Sequence, residues 1–353
     1  MHLVIVTDAW HPQVNGVVRT LDRTRAELEA MGHRVSMITP EGMKTLAMPS
    51  YPEIPLALFP GRVVRRKLDS LKADAVHIAT EGPLGLAARA WCVRRGHPFT
   101  TSFHTQFPEY IWLRWRVPLT LTYALMRWFH GPASCVMTAT ASLRQRLSHW
   151  GFRRLGEWTR GVDTQLFQPY GPEGAPAGAA RPLFLYAGRV AVEKNLEAFL
   201  ALDLPGSKVV VGAGPDLERL KTRHPQAHFT GYKADEALAR LVASADVFVF
   251  PSKTDTFGLV LLEALACGVP VAAYPVQGPV DVIEEGKTGA LDEDLRAAAL
   301  RALGVDRATC REAALRYSWA ACTSQFLGHL VDHSSRGKPA PATMGAQAAT
   351  EAA

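Results

Sequence analysis

Two carboxylates, Asp255 and Glu263, lie eight residues apart where a predicted strand at 246–250 leads into a predicted helix at 258–267. A helix N-terminus offers unpaired backbone N–H groups and a partial positive charge, and glycine there lets a ligand approach the backbone. The groups concerned belong to Phe257, Gly258 and Leu259. The pattern indicates a diphosphate site, with Glu263 placed to accept hydrogen bonds from ribose hydroxyls. A capped amphipathic helix without a ligand has the same pattern.

A second loop carries two cations. Arg189 and Lys194 follow Gly188 between a predicted strand and a predicted helix. Arginine offers a bidentate fork and lysine a point charge, so the pair can hold a diphosphate. An exposed loop with ordinary charges is the alternative.

The first half of the chain contributes two further candidates. Asn15 and Gly16 lie between the first strand and the first helix, where glycine allows a phosphate or sugar to come close. His104 ends a strand and therefore faces the edge of the sheet where ligands bind. A structural histidine would also fit that position.

Short apolar strands alternate with helical segments twice along the chain. This pattern predicts two parallel sheets covered on both faces. A stretch rich in proline, glycine and alanine at 169–180 predicts a linker, and the tail at 334–353 has the composition of a disordered segment. The natural ligand site is then the cleft between two doubly wound domains.

Composition and charge narrow the class of protein. The chain has 353 residues, of which 48% are hydrophobic and 20% charged, which excludes collagen, coiled coil and wholesale disorder. Five scattered cysteines without a CxxC pair fit a reducing compartment. No apolar run is long enough for a transmembrane helix, and the start lacks the basic region of a signal peptide. We expect a cytoplasmic protein that associates peripherally with the inner face of the plasma membrane.

The net charge of +6 is unevenly distributed. Residues 1–170 carry 21 basic against 12 acidic residues, whereas residues 171–353 carry 18 against 21. A basic first half attracts anions such as a membrane surface, phosphorylated ligands or nucleic acid. Charge alone does not show which of these anionic partners binds.

The segment from Asp255 to Glu263 resembles the E-x7-E signature of family 4 of the retaining GT-B glycosyltransferases, with Asp at the first position. The loop from Gly188 to Lys194 matches the family's G-R-x4-K motif, and Asn15-Gly16 matches its glycine loop. The segment Arg160-Gly161-Val162-Asp163 resembles the one that joins the family's two domains. The resemblance covers residues 1–332 and is closest to the glycolipid-forming and mannosyltransferase-like branches.

The resemblance implies an α/β fold of GT-B type, in which two Rossmann-like domains face each other across a cleft. The acceptor domain would span 1–168 with a crossover helix at 318–332, and the nucleotide-sugar domain would span 181–317. Arg189 and Lys194 would hold the diphosphate, Glu263 the ribose, and Asp255 and His104 the donor sugar. The family places three further positions near the nucleotide: Gly214, Tyr232 and Lys233.

Aromatic and basic residues alternate after His104, in the range 109–130. Aromatic anchors beside arginine suit an interface with anionic lipids, although a core helix would also contain aromatic residues. The residues are Trp112, Arg114, Trp115, Arg116, Arg127 and Trp128. A lipid acceptor such as diacylglycerol would enter here.

The sequence thus predicts a retaining, metal-independent hexosyltransferase that uses a UDP- or GDP-sugar and no cofactor. Glycosyl transfer to a polysaccharide or glycan is one alternative. A non-hydrolysing nucleotide-sugar epimerase shares the architecture, and a nucleic-acid binder would use the basic half. The absence of any nucleic-acid motif argues against nucleic acid as a partner.

Overall fold

The computed structural model of the chain describes residues 1–13, 15–48, 51–255 and 257–330. Two six-stranded sheets dominate it. In the first half the strands are β1 (His2–Val6), β2 (Arg34–Ile38), β3 (Thr45–Met48), β4 (Tyr51–Ala57), β5 (Ala75–Ile78), β6 (Thr100–Phe103), β7 (Cys135–Thr138) and β8 (Leu155–Glu157). The helices are α1 (Gly16–Ala30), α2 (Gly61–Leu71), α3 (Pro83–Arg95), α4 (Phe107–Trp115), α5 (Leu119–His130) and α6 (Ala141–His149).

The first sheet has the order β2-β1-β5-β6-β7-β8, and all its pairings are parallel. Its inner strands are buried on both faces, which explains their continuous apolar runs. Strands β3 and β4 form a separate antiparallel pair. The carboxyl ends of β1, β5 and β6 lie side by side, so the loops that follow them share one edge of the sheet.

The second half repeats the plan. Its strands are β9 (Leu183–Ala187), β10 (Ser207–Val211), β11 (His228–Gly231), β12 (Val247–Phe250), β13 (Val271–Ala273) and β14 (Gly289–Leu291). Its helices are α7 (Leu196–Leu200), α8 (Leu217–Arg223), α9 (Asp235–Ala243), α10 (Leu259–Ala266), α11 (Pro279–Val282), α12 (Leu295–Ala302), α13 (Arg307–Leu315) and α14 (Trp319–His329). The sheet order is β11-β10-β9-β12-β13-β14, again parallel. The prediction of two doubly wound α/β sheets is confirmed.

The last helix, α14, returns to the first sheet. It packs against α1, and the Phe326 ring contacts the rings of His77 and Trp158. The neighbouring α13 instead packs against α10 of the second half. The chain therefore crosses between the two halves at residues 316–318. The predicted disordered tail at 334–353 lies outside the described residues.

The sequence analysis missed several elements, and their composition explains why. Strand β4 contains Pro52 and Pro55, which weaken a strand prediction and are tolerated because β4 pairs only with β3. Strands β8 and β14 have only three residues each, too few for a periodic signal. Helix α2 buries only Val64 and Leu68 among basic residues, so its apolar stripe is narrow.

Candidate functional site

The two charged loops of the second half meet at the carboxyl ends of adjacent strands. Lys194 follows β9 and Asp255 follows β12, and these strands pair directly. The Lys194 Nζ lies 2.5 Å from Asp255 Oδ1, with both side chains largely shielded from solvent. Burial is the largest single effect and lowers the pKa of Lys194, but the charge and hydrogen bond of Asp255, together with the nearby phenols of Tyr186 and Tyr110, raise the pKa above its ordinary value. The lysine therefore stays protonated beside a carboxylate.

Glycines bring the backbones of neighbouring loops together behind this pair. Gly212 lies against the carbonyl of Gly188, and Gly214 against that of Val190, so a Cβ at either position would clash with backbone. Hydrogen bonds from Gly188 N to Val211 O and from Val190 N to Ala213 O extend the strand ladder into the loops. The loops that carry Arg189 and Lys194 are thus held on rigid backbone.

Arg189 lies on this loop and is half-buried, and Tyr186 Oη donates to its carbonyl. The other predicted nucleotide contacts lie further away along the sheet. Tyr232 and Lys233 are exposed after β11, the edge strand, which is separated from β12 by β10 and β9.

Helix α10 begins next to Asp255, as its spacing predicts. Gly258 precedes it with φ 82°, a left-handed conformation that favours glycine. Phe257 is buried and anchors the loop. The first turn of α10 therefore follows directly after the loop whose Asp255 pairs with Lys194.

Glu263 is buried in α10, and its partner comes from the other half of the chain. Its Oε1 lies 2.5 Å from Nη2 of Arg19, which is in α1. Its Oε2 is buried and accepts no hydrogen bond from the described residues. The two side chains line a narrow cleft whose wall also includes Gly161, Asp163, Leu259 and Trp319. Arg19 was not predicted from the sequence. It lies 244 residues before Glu263, and only the fold brings the two side chains together.

His104 follows β6 and is buried with an arginine beside it. Arg160 Nη2 lies 3.1 Å from His104 Nδ1, and its guanidinium stacks 4.7 Å from the centre of the Trp158 ring. Arg160 Nη1 donates to the carbonyls of Trp158 and Thr159. Burial first, and then the charge of Arg160, hold the pKa of His104 well below its ordinary value. His104 is therefore neutral at physiological pH.

The first turn of α4 contacts the loop that holds Asp255. Gln106 Nε2 donates to the carbonyl of Asp255 at 3.3 Å, and Tyr110 Oη donates to that of Thr254 at 3.3 Å. Arg146 of α6 donates to Gln106 Oε1 at 3.0 Å. None of the three was predicted from the sequence, although the position of Gln106 and Tyr110 shortly after His104 is the signal that could have found those two.

Asn15 and Gly16 have separable roles in the structure. The Asn15 side chain accepts hydrogen bonds from the N–H groups of Val17 and Val18, so it caps α1. A Cβ at Gly16 would lie 3.6 Å from Leu259 Cδ1, so the start of α1 faces the start of α10 across the cleft. A methyl group at position 16 would thus make ordinary van der Waals contact with Leu259, while the Asn15 oxygen is used by the helix.

An exposed aromatic surface covers one side of the first half. We call it the tryptophan surface and define it by Trp112, Trp115, Leu121, Leu125 and Trp128, which are between 38% and 63% exposed. Helix α5 buries Tyr123, Met126 and Phe129 on its other face, so the alternative of a core position does not apply to these tryptophans.

Some of the nearby arginines lie at the tryptophan surface, and others do not. Arg116 lies over Trp112, and Arg89 of α3 lies 4.0 Å from the centre of the Trp128 ring. Arg127 instead donates to the Trp150 carbonyl at 2.7 Å and is half-buried, so its charge is directed inward. The side chain of Arg114 lies outside the described residues.

A second exposed feature escaped the sequence analysis. Phe59 is 94% exposed and has φ 49°, an uncommon conformation for a bulky residue. It directly precedes α2, which packs against α3. Four cations of α2 form no ion pair with the described residues: Arg62, Arg65, Arg66 and Lys67. The clustering of these cations just after Leu58 and Phe59 is a signal that the sequence contained.

The described ranges contain no group of three His, Cys, Asp or Glu residues placed to hold a metal ion. No described helix is both long and apolar enough to cross a bilayer. The Asp292-Glu293-Asp294 run caps α12, since the Asp294 side chain accepts from Arg296 N.

Comparison with known proteins places the chain in a family. The model of Glycosyltransferase Family 4 matches residues 14–166, and that of Glycosyl transferases group 1 matches residues 175–303. A GDP-mannose-dependent alpha-mannosyltransferase of Mycobacterium tuberculosis is 30% identical over 93% of this chain and 96% of its own length. The chain belongs to glycosyltransferase family 4.

Other relatives of this family 4 glycosyltransferase include glycolipid enzymes. The sulfoquinovosyl transferase SQD2 of Arabidopsis thaliana is 32% identical over 81% of this chain, which spans only 62% of that protein. The alpha-monoglucosyldiacylglycerol synthase of Streptococcus pneumoniae is 28% identical over 86% of this chain and 78% of its length. Membership of the family favours glycosyl transfer over the epimerase and nucleic-acid alternatives.

Solved structures support the GT-B fold of this glycosyltransferase. Sucrose-phosphate synthase from Thermosynechococcus elongatus superposes with a TM-score of 0.74 at 19% identity, over 92% of this chain and 97% of that one. Anabaena HepE in complex with UDP-glucose gives 0.71 at 16% identity, over 93% and 98%. At these identities the similarity shows the fold alone.

Proposed function

We propose that this glycosyltransferase moves a hexose from a UDP- or GDP-sugar to a lipid hydroxyl at an anionic membrane surface, with retention of the anomeric configuration. The observation that carries the proposal is the cluster of Lys194, Asp255 and the start of α10 at adjacent strand ends, with Glu263 behind it. This cluster faces the first half of the chain across a narrow cleft.

The donor diphosphate binds between the cationic loop and α10. Arg189 and Lys194 approach it from one side, and the N–H groups around Phe257, Gly258 and Leu259 from the other. Charge that develops on the diphosphate as the glycosidic bond breaks is stabilised by these fixed donors. Positive charge from side chains and the helix start makes a metal ion unnecessary for this step.

Glu263 and Asp255 orient the rest of the donor. Oε2 of Glu263 accepts a hydrogen bond from a ribose hydroxyl, which satisfies a buried oxygen that has no donor among the described residues. Asp255 Oδ2 is likewise buried without a hydrogen-bond partner among the described residues. A hydroxyl of the donor sugar satisfies it, while Lys194 keeps Oδ1.

The transfer step proceeds on one face of the sugar. The acceptor oxygen bonds to the anomeric carbon as the bond to the diphosphate oxygen breaks. The acceptor proton passes to that departing phosphate oxygen, so no protein base is needed. Neutral His104 donates a hydrogen bond to the donor sugar from the other domain and takes no part in proton transfer.

The lipid acceptor enters along α4. The first turn of this helix contacts the Asp255 loop through Gln106 and Tyr110, whereas Trp112 and Trp115 further along are exposed. A headgroup hydroxyl would thus reach the donor while the acyl chains remain near the tryptophan surface. Phe59 and the cations of α2 provide a second contact with anionic lipid. The names of the glycolipid relatives agree with such an acceptor.

A donor screen tests the proposal. Purified protein receives UDP- and GDP-hexoses with and without anionic vesicles that contain diacylglycerol, and the release of free nucleotide is measured. Release that requires the lipid supports the proposal and identifies the donor. Binding of a nucleotide sugar with release only when a soluble glycan is present would replace the lipid acceptor by a glycan. No binding of any nucleotide sugar would contradict the proposal as a whole.

A further inference from the structure

Arg19 is the described counter-ion of a carboxylate that belongs to the other domain. Its Nη2 lies 2.5 Å from Glu263 Oε1, and the Glu263 side chain is 5% exposed whereas that of Arg19 is 45% exposed. A buried carboxylate needs a partner, because burial without one is costly. If the two domains separated at this cleft, Glu263 would lose that partner.

The carboxylate has a second oxygen for a ligand. Oε2 is buried and has no hydrogen-bond donor within the described part of the chain. A ribose hydroxyl can therefore bind Oε2 while Arg19 keeps Oε1, so the two partners need not compete. Arg19 also favours the rotamer in which Oε2 is presented, since the contact of its Nη2 with Oε1 holds that oxygen towards α1.

The surroundings of the pair are also built from both domains. Gly16, one turn before Arg19 on α1, faces Leu259 at the start of α10. Asp163 and Gly161, from the segment after β8, line the same cleft. Closure at this point therefore assembles the Arg19–Glu263 pair and narrows the cleft in one movement.

We propose that Arg19 couples domain closure to nucleotide binding: it is a positioning residue that acts through Glu263. The proposal rests on the proposed function in one respect, namely that Glu263 binds the ribose. Nucleotide binding and the Arg19 contact then reinforce each other, because each stabilises the same orientation of Glu263. By linkage, nucleotide must favour the closed arrangement to the same extent that closure favours nucleotide.

A double-mutant cycle on nucleotide affinity tests this coupling. The dissociation constants of UDP and GDP are measured by calorimetry for the wild type, Arg19→Met, Glu263→Gln and the double variant. We expect Arg19→Met to bind the preferred nucleotide about 10-fold more weakly. The double variant should bind no more weakly than Glu263→Gln alone, because Arg19 has no effect once its partner has lost its charge.

Two controls accompany the cycle. Arg19→Lys keeps the charge and should restore part of the affinity. Arg25→Met removes a cation of the same helix that pairs with Glu29 of that helix, and it should bind nucleotide like the wild type. Solution scattering with and without nucleotide provides a second readout: compaction on binding should be smaller in Arg19→Met than in the wild type.

The outcomes separate this inference from the proposed function. If the wild type binds neither UDP nor GDP, the proposed function fails. If the wild type binds nucleotide but Arg19→Met binds equally well or more tightly, or if the two substitutions are additive, the coupling proposed for Arg19 is wrong and the nucleotide site stands.

Discussion

Arg160 donates a hydrogen bond from Nη2 to Nδ1 of His104 across 3.1 Å, and both side chains are buried. A guanidinium has only donors, so Nδ1 must be unprotonated and the single imidazole proton must be on Nε2. The imidazoles of His77 and His130 also lower the pKa of His104. These hydrogen-bond to Thr100 and Ser102, and to Thr101 and Glu81, respectively.

This arrangement predicts that His104 remains neutral well into the acid range. Burial and the positive charge of Arg160 both disfavour the protonated form, so the imidazole should stay neutral at pH values where an ordinary histidine is protonated. In Arg160→Met the pKa should rise, because the repelling charge is gone while burial remains. Nitrogen chemical shifts of ¹⁵N-labelled histidine, assigned by comparison with His104→Asn, report both the pKa and the tautomer. A wild-type His104 that titrates near its ordinary value, or carries its proton on Nδ1, would contradict the assignment.

Lys194→Ala should reduce turnover far more than stability. The lysine lies where the diphosphate is proposed to bind, so its loss should lower kcat roughly 100-fold or more. The free energy of unfolding should fall by roughly 2 kcal/mol or less, because the pair with Asp255 is only partly buried. Steady-state kinetics and denaturant titration measure the two effects.

Lys221→Ala is the matched control for that substitution. Lys221 pairs with Glu218 on the surface of α8, away from the strand ends. It should leave both kcat and stability close to those of the wild type. Near-normal turnover in Lys194→Ala would refute the role of the lysine.

The left-handed glycine before α10 should matter for nucleotide binding. In Gly258→Ala the new Cβ would lie 3.1 Å from the Leu261 side chain. The backbone φ of 82° is left-handed, and an L side chain there should lower the free energy of unfolding by about 1–2 kcal/mol. The loop must then shift, which moves the first-turn N–H groups and should weaken the binding of UDP or GDP. Thermal unfolding and calorimetry provide the two measurements.

Gly286→Ala separates backbone strain from the effect on the ligand site. Gly286 has φ 73° and no neighbour within 4 Å of a new Cβ, and it lies between α11 and β14. This variant should lose comparable stability and keep its nucleotide affinity. Equal losses of affinity in both variants would show that the start of α10 has no special part in binding.

The tryptophan surface should bind anionic bilayers. Replacing Trp112, Trp115 and Trp128 together by serine should reduce flotation with anionic vesicles several-fold, because exposed aromatic area is lost. Binding by the wild type should weaken with salt, since basic side chains contribute. Leu315→Ser, which removes an exposed apolar residue of the other half, is the control and should float normally. If the wild type does not float with anionic vesicles at low salt, the proposed membrane association is wrong.

Local patterns in the sequence predicted the strand ends well. His104 follows the buried strand β6 and Asp255 follows the apolar strand β12, and the rule that ligands bind at carboxyl ends of parallel strands pointed to both loops. The contact between Lys194 and Asp255 follows from the adjacency of β9 and β12. That adjacency is a matter of sheet order, which periodicity does not reveal.

Contacts between side chains that lie far apart in the chain could not be predicted from the sequence. Arg19 and Arg160 are two of many arginines. The segment that begins at Arg160 resembles the family's domain-joining segment, but nothing in either sequence neighbourhood predicts a contact with Glu263 or His104. Asn15 shows the converse case, because a residue proposed for the donor site uses its side-chain oxygen to cap α1. The sequence predicted that these residues lie between β1 and α1, as they do, but not that this oxygen caps the helix.

The most direct test of the account is to isolate the product of the reaction and determine its linkage. The wild type is incubated with the nucleotide sugar it binds and with anionic vesicles that contain diacylglycerol, and the lipid fraction is analysed by NMR. We predict a lipid-linked hexose whose anomeric configuration is that of the donor. A product of inverted configuration, or sugar that never becomes attached to lipid although nucleotide is released, would contradict the central claim.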